Sequence, residues 1–322
     1  MTDVGTAHVA GGLEEVAPEP SVVTIGNFDG VHRGHRTLLR RTVEAARARG
    51  LRSIAVTFDP HPAAVVRPGS EPTPLQPLDA RIAELAATGV DLVLVLPFTR
   101  ELSTLSPDAF VARVLAEGLR ARRVVVGTNW RFGHRAAGDV VTLVEAGEAH
   151  GFEVEAVGLL EVDGVAISSS AIRTHLLEGD VAWAVRALGR PHTVAGEVVA
   201  GDGRGRTIGV PTANLALDAP VVVPAAGVYA GHAFVAGDTL PCVTNVGVRP
   251  TFDQHGPAVV ETHLIDVDRD LYGVRLTVGF EHRLRAEQRF DAVEALVAQI
   301  SHDVARARSL LGVAGGPGDR AR

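Results

Sequence analysis

The sequence predicts an α/β protein in two parts: an N-terminal doubly wound parallel sheet, then a small antiparallel β-barrel with a C-terminal helix. Three observations lead there. Apolar runs alternate with helix-like stretches as far as about residue 188, the pattern of successive βαβ units. Beyond Pro191 the period changes to short apolar runs separated by turns, the pattern of a small barrel. The chain has 322 residues, more than one domain ordinarily uses.

Each element follows from local chemistry. Residues 1–20 carry acids and lack a basic, apolar leader, so they read as a mobile tail and not as a signal peptide. Residues 22–25 form a strand that runs into a glycine-rich turn and a helix over 36–49. Residues 53–58, with Ile, Val and Phe, read as a buried parallel strand, stopped by Pro60 and Pro62. Helices over 79–87, 107–118 (capped by Ser106) and 138–147 alternate with strands over 92–96, 123–126 and 152–159. A short helix over 180–188, with Trp183 packed on the sheet domain, ends at Gly189-Arg190-Pro191. Strands over 194–199, 228–235, 242–248, 259–267 and 274–280 make the barrel, and a helix over 291–311 covers it. The domains are expected at 21–188 and 189–312, with 313–322 as a frayed tail.

Composition excludes several function classes. The hydrophobic fraction of 46% sustains packed cores, while no run of about 18 uncharged apolar residues suggests a membrane span. A net charge of −7 argues against broad nucleic-acid binding. Cys242 is the only cysteine, so no internal disulfide forms and a reducing, cytoplasmic setting is expected. All 31 basic residues counted as Lys or Arg are arginine. A chain without lysine has no Walker A loop, Schiff base or protein-kinase lysine. Any phosphate must be held by arginine, histidine, backbone N–H groups or a metal. Oligomeric state stays open, a homo-oligomer included.

The stretch with the clearest chemistry is Gly26-Asn27-Phe28-Asp29-Gly30-Val31-His32-Arg33-Gly34-His35. A strand, a glycine-rich turn and a helix start make an anion site: small residues admit a ligand to the backbone, and free N–H groups point at it. Thirteen histidines in 322 residues give about 0.5 pairs at this spacing by chance, so the context carries the argument. With the helix starting near His35, both rings face the bound phosphate, and imidazolium N–H groups stabilise charge on a phosphorus under attack. His61 follows the second strand, at the strand end where open α/β sheets hold ligands; it either lines the site or lies on the loop surface.

This stretch resembles the His-x-Gly-His signature of nucleotidylyltransferases. Its Phe-Asp-Gly form is similar to the adenylyltransferase half of the bacterial bifunctional riboflavin kinase/FAD synthetase family. Further blocks match the same family, so the resemblance spans roughly residues 22–311. Gly127-Thr128-Asn129-Trp130-Arg131-Phe132-Gly133 resembles a block with Asp or Asn, an aromatic, then Phe-Gly. Trp130 stands where phenylalanine is more usual, which leaves its role open between stacking on a flat ring and ordinary packing. Ser168-Ser169-Ser170-Ala171-Ile172-Arg173 resembles a Ser-Ser-Thr block with an arginine three residues on. An N-cap explains one of its serines; the resemblance assigns the serines and Arg173 to ATP phosphates opposite His32 and His35. Gly26, Phe28, Gly34 and Asn129 are implied nucleotide contacts, and His61 a flavin contact.

In the second part, Gly201-Asp202-Gly203-Arg204-Gly205-Arg206-Thr207-Ile208-Gly209 is no Rossmann loop, because Pro211 stands where a helix should run. Gly203, Gly205, Arg206 and Gly209 read instead as a flap whose backbone N–H groups form an anion nest, or as a plain hairpin loop. Pro211-Thr212-Ala213-Asn214 matches the riboflavin kinase signature. The resemblance makes Thr212 and Asn214 ligands of Mg²⁺, whose hard, octahedral demand suits neutral oxygens and phosphates. Asn245-Val246-Gly247-Val248-Arg249-Pro250-Thr251-Phe252 and Glu261-Thr262-His263-Leu264 resemble further riboflavin kinase blocks. On periodicity, Glu261 is a solvent-facing position of an alternating strand. By resemblance it is the general base on the substrate hydroxyl, a role worth roughly 10²–10⁴-fold. Flavin contacts are implied within 283–290 without a choice of residue.

The resemblance thus implies a two-step enzyme. The barrel phosphorylates riboflavin to FMN with ATP; the sheet domain adenylylates FMN to FAD with release of pyrophosphate, through His32, His35 and Arg173. The alternatives are a nucleotidylyltransferase for another acceptor, and a non-catalytic flavin or nucleotide sensor.

Overall fold

The computed structural model describes residues 7–201, 209–248, 258–267 and 269–313. By contacts the chain divides into two units, one up to Ser169 and one from Ser170 onward.

The first unit is a six-stranded sheet, all of its pairings parallel. Its strands are β1 (His8–Ala10), β2 (Ser21–Ile25), β3 (Arg52–Asp59), β4 (Leu92–Pro97), β5 (Ala121–Gly127) and β6 (Glu153–Val157), in the order β1-β4-β3-β2-β5-β6. Six helices connect them: α1 (Arg33–Arg49), α2 (Pro62–Val66), α3 (Leu78–Ala86), α4 (Arg100–Thr104), α5 (Pro107–Phe110) and α6 (Val140–His150). Both faces are covered, and β3 shows how. Ile54, Val56 and Phe58 join Val111, Leu115 and Leu143 in one core, while Ala55 joins Leu39, Val43 and Leu85 in another. A strand buried on both faces needs the continuous apolar run its sequence has.

The helix expected over 107–118 starts where Ser106 caps it, Ala109 N–H donating to Ser106 Oγ at 3.2 Å. From Val111 to Gly118 it widens into a π-helix, ending with Leu119 N–H on the Val114 carbonyl at 3.0 Å. Residues 7–20 of the expected tail require a correction, while residues 1–6 lie outside the described residues. Within them β1 pairs with β4, Ala10 is fully buried and Val16 is 8% exposed. The segment adds an edge strand to the sheet, and Ala10 and Val16 join the core beneath it.

After a hairpin of β7 (Glu161–Val162) and β8 (Val165–Ala166), the second unit takes α7 (Ser169–Glu178) and α8 (Val181–Leu188) together with the barrel. Trp183 of α8 therefore belongs with the barrel unit and not with the sheet: it is 2% exposed and stacks on His175 at 3.9 Å. The barrel strands are β9 (His192–Val199), β10 (Ala213–Leu217), β11 (Gly227–Val235), β12 (Asp238–Val248), β13 (Ala258–Leu264) and β14 (Arg275–Phe280). They run β12-β13-β10-β9-β14-β11 and close through β11–β12, with β15 (His282–Arg285) added on β11. The closure removes free edges. Tyr229 and Phe280 meet edge to face in the interior, 5.4 Å apart. Helix α9 (Val293–Leu311) covers the barrel, and Arg285 ties it down through Asp303 at 2.9 Å. No helix among the described residues is long and apolar enough to cross a membrane.

Candidate active site

In the sheet unit the expected residues gather at the carboxyl ends of β2, β3 and β5. The loop leaving β2 turns through left-handed backbone at Phe28 (φ 50°), Gly30 (φ 79°) and Val31 (φ 38°). For a β-branched valine this is a strained conformation, and several contacts hold it. Both Asp29 carboxylate oxygens accept from Leu75 N–H at 3.0 and 3.1 Å. Ser169 Oγ donates to the Asp29 carbonyl at 2.9 Å. Thr57 Oγ1 and the Arg81 guanidinium both donate to the Asn27 carbonyl, at 3.0 and 2.9 Å.

The turn delivers His32 as N-cap of α1. Its Nδ1 accepts from His35 N–H at 3.3 Å, which leaves the ring proton on Nε2. The two imidazoles stack at 3.5 Å with a 17° tilt. A side chain at Gly34 would come within 3.1 Å of the His32 ring, so glycine there is a condition of the stack. Phe28 is 1% exposed, packs in the core and meets His35 edge-on at 5.1 Å, so its side chain backs the second histidine.

The charge of the pair also differs from expectation. Burial holds the His32 pKa down to about 4. Burial, then the neighbouring His32, hold His35 well below its usual value. Both shifts favour the uncharged rings over the imidazolium form expected from sequence. His35 Nδ1 is buried without a hydrogen-bond partner among the described residues. His61 comes into the same cluster: Ala63 N–H donates to its Nδ1 at 3.1 Å, and its Nε2 lies 3.2 Å from the Asn27 amide. Asn129 is exposed two residues beyond β5, which pairs with β2. Trp130 stacks on Phe132 at 4.5 Å and packs against the core. Ser170 and Arg173 lie on α7 in the second unit. Arg81 escaped sequence reading; an arginine amid the apolar face of a helix was the available signal.

In the barrel one rung matters most. Glu261 of β13 stands opposite Asn214 of β10 on one side and opposite Asn245 of β12 on the other. Directly opposed antiparallel residues share a face, with Cβ atoms about 4.5–5.5 Å apart. Val260 and Thr262, to either side of Glu261, point into the buried interior. A cleft of about 130 Å³ is lined by Thr212, Asn214, Arg269, Asp270 and Tyr272 among others, but not by Glu261. A side chain at Gly201 would overlap the Asn214 amide. His263 Nδ1 lies 2.9 Å from the Pro211 carbonyl and fixes the chain beside Thr212. Gly203, Gly205 and Arg206 of the expected flap, and Arg249 to Phe252, lie outside the described residues; Gly209 has φ 76°. Within 283–290, Arg283 donates to the carbonyls of Glu178 and Ala226, and Arg285 pairs with Asp303. Those two guanidiniums are engaged in packing.

Two family models match the chain: FAD synthetase over residues 14–171 and riboflavin kinase over 188–311. The chain belongs to the bifunctional riboflavin kinase/FAD synthetase family. A relative from Pseudomonas fluorescens, the bifunctional riboflavin kinase/FMN adenylyltransferase, is 44% identical over 301 residues, covering 93% of this chain and 96% of that one. The protein of that name from Escherichia coli (strain K12) is 40% identical, with 94% and 96% covered. A crystal structure from Streptococcus pneumoniae, described as a macrolide-efflux protein, has a TM-score of 0.85 at 31% identity, covering 94% of this chain and 99% of its own. Both catalytic domains of the family are present, so the chain is an enzyme of flavin cofactor biosynthesis.

Proposed function

We propose that the barrel transfers the γ-phosphoryl group of ATP to riboflavin, and that the sheet domain transfers the adenylyl group of a second ATP to the resulting FMN. The observation that carries this reading is the rung Asn214–Glu261–Asn245, beside a cleft that Thr212 and Asn214 line. A nucleotidylyltransferase for another acceptor has no use for it. Glu261 takes the proton from the terminal hydroxyl of riboflavin as its oxygen bonds to the γ-phosphorus, and ADP leaves.

The kinase uses a divalent cation, and we assign Mg²⁺ to Thr212 and Asn214. The donor set suits it: both side chains offer neutral oxygens and line one cleft. Bound there with the phosphates, Mg²⁺ would neutralise charge on the triphosphate.

In the sheet domain a phosphate oxygen of FMN bonds to the α-phosphorus of ATP while its bond to the β-phosphate oxygen breaks, releasing pyrophosphate. His32 and His35 donate to the α-phosphate as charge builds, with Arg173 and Ser168, Ser169 and Ser170 on the phosphates. The orphaned His35 Nδ1 supports a ligand there. Gly26, Gly34 and Asn129 line the nucleotide, His61 the flavin, and Gly203, Gly205, Arg206 and Gly209 the barrel's phosphates. A cytoplasmic setting fits Cys242, which is fully buried and whose thiol pKa burial raises to about 12.

The test pairs two variants. With riboflavin, ATP and Mg²⁺, His35→Ala stops at FMN, losing about 10²–10³ in adenylyl transfer. Glu261→Ala makes no FMN yet still converts added FMN to FAD. Loss of both activities in either variant, or of neither, defeats the assignment.

A further inference from the structure

We infer that Arg81 is a positioning residue for adenylyl transfer, its guanidinium fork fixing the loop that carries His32 and His35. The inference rests on the adenylyltransferase reading of that loop. Arg81 stands on α3 and is 9% exposed, a charged group taken almost wholly out of water. Such burial costs several kcal/mol, and where volume alone is needed an apolar side chain fills it as well.

The direction of the hydrogen bonds explains what the charge is for. One terminal nitrogen donates to the Asn27 carbonyl at 2.9 Å and the other to the Phe58 carbonyl at 3.1 Å. These carbonyls lie at the carboxyl ends of two adjacent parallel strands, one just before the strained turn and one just before the His61 loop. Nε has no partner among the described residues, so the fork serves these two strand ends. Burial pulls the Arg81 pKa below its ordinary value, and Asp29 and Asp59 offset part of that by favouring the charged form. Two carbonyls at a fixed separation need a planar donor pair; a lysine ammonium offers a single point.

What the fork holds is the path into the histidines. Asn27 touches His61 through its amide and Arg81 through its carbonyl. Four residues on, Val31 keeps φ 38° and leads directly into the His32 cap. Without the fork the Asn27 carbonyl keeps only Thr57 Oγ1 and its tie to the Phe58 strand end is gone, so the turn loosens and the stacked rings move. A shift of about 1 Å at such a site costs about 10²-fold in rate.

Arg81→Lys and Arg81→Met in the full-length enzyme test this, with both activities measured on each sample. We expect riboflavin phosphorylation to stay within about 2-fold of the unsubstituted chain and the kcat of FMN adenylylation to fall about 10-fold or more, with KM for ATP and FMN changing less than about 3-fold. Arg81→Lys, which keeps the charge, should not rescue. An unchanged kcat in Arg81→Lys overturns the inference, as does a loss confined to KM or one that tracks thermal unfolding. His35→Ala runs alongside: if it too spares adenylylation, the reading of the site has failed, and if it alone abolishes adenylylation, only the role of Arg81 has.

Discussion

At His32 the burial that brings the ring against His35 also sets its charge, and that has a consequence for stability. The folded pKa, about 4, lies below the ordinary 6.5. A group whose folded pKa is depressed stabilises the fold above its unfolded pKa, and that contribution is lost as pH falls through 6.5 toward 4. By pH 5 the loss from His32 amounts to about 2 kcal/mol. Thermal unfolding followed from pH 7.5 to 5 should show a falling melting temperature. His32→Asn, which keeps an acceptor for the cap, should flatten the slope; equal slopes would refute the linkage. The motif itself was legible, because strand, glycines and two histidines are contiguous in sequence. Its protonation was not, because the burial that lowers both pKa values arises only once the chain is folded, and no local pattern reveals it.

The elements read correctly were those long enough to show a period. β3, with eight residues, and α1, with seventeen, announce themselves. β1 has three residues and β15 four, too few for alternation to register, and both exist only because a neighbouring strand offers its edge. β10 was hidden behind Pro211 and a loop rich in glycine, although its burial does alternate at Ala213, Asn214 and Leu215. The missed strand at the N-terminus carries a prediction. Deleting residues 1–17 removes the pairing with β4 and two buried side chains, and should cost about 2–4 kcal/mol. Adenylyl transfer should then be the more heat-labile of the two activities. A melting temperature equal to that of the intact chain would mean that β1 contributes nothing to the sheet.

For the whole molecule, the boundary between the parts depends on whether similarity or packing draws it. The riboflavin kinase model begins at residue 188, where the sequence changes period. Contacts divide the chain at Ser169/Ser170 instead, because α7 and α8 are built into the second unit. Leu176 accepts from Ala225 N–H through its carbonyl at 3.0 Å, and Glu178 accepts from Arg283. Trp183, Ala184, Ala187 and Leu188 are each no more than 2% exposed. Turn residues mark a break in the chain's course, and Gly189-Arg190-Pro191 does mark one; they say nothing about which side a helix packs on. A fragment that begins at Ser170 should therefore phosphorylate riboflavin and melt as the corresponding transition of the intact chain does. A fragment that begins at Gly189 loses a buried tryptophan and leucine and strips cover from β9 and β15. It should melt lower by about 5 °C or more, with kinase activity lost on mild heating. Calorimetry of the two fragments separates the cases, and identical melting would place the physical boundary where the period changes.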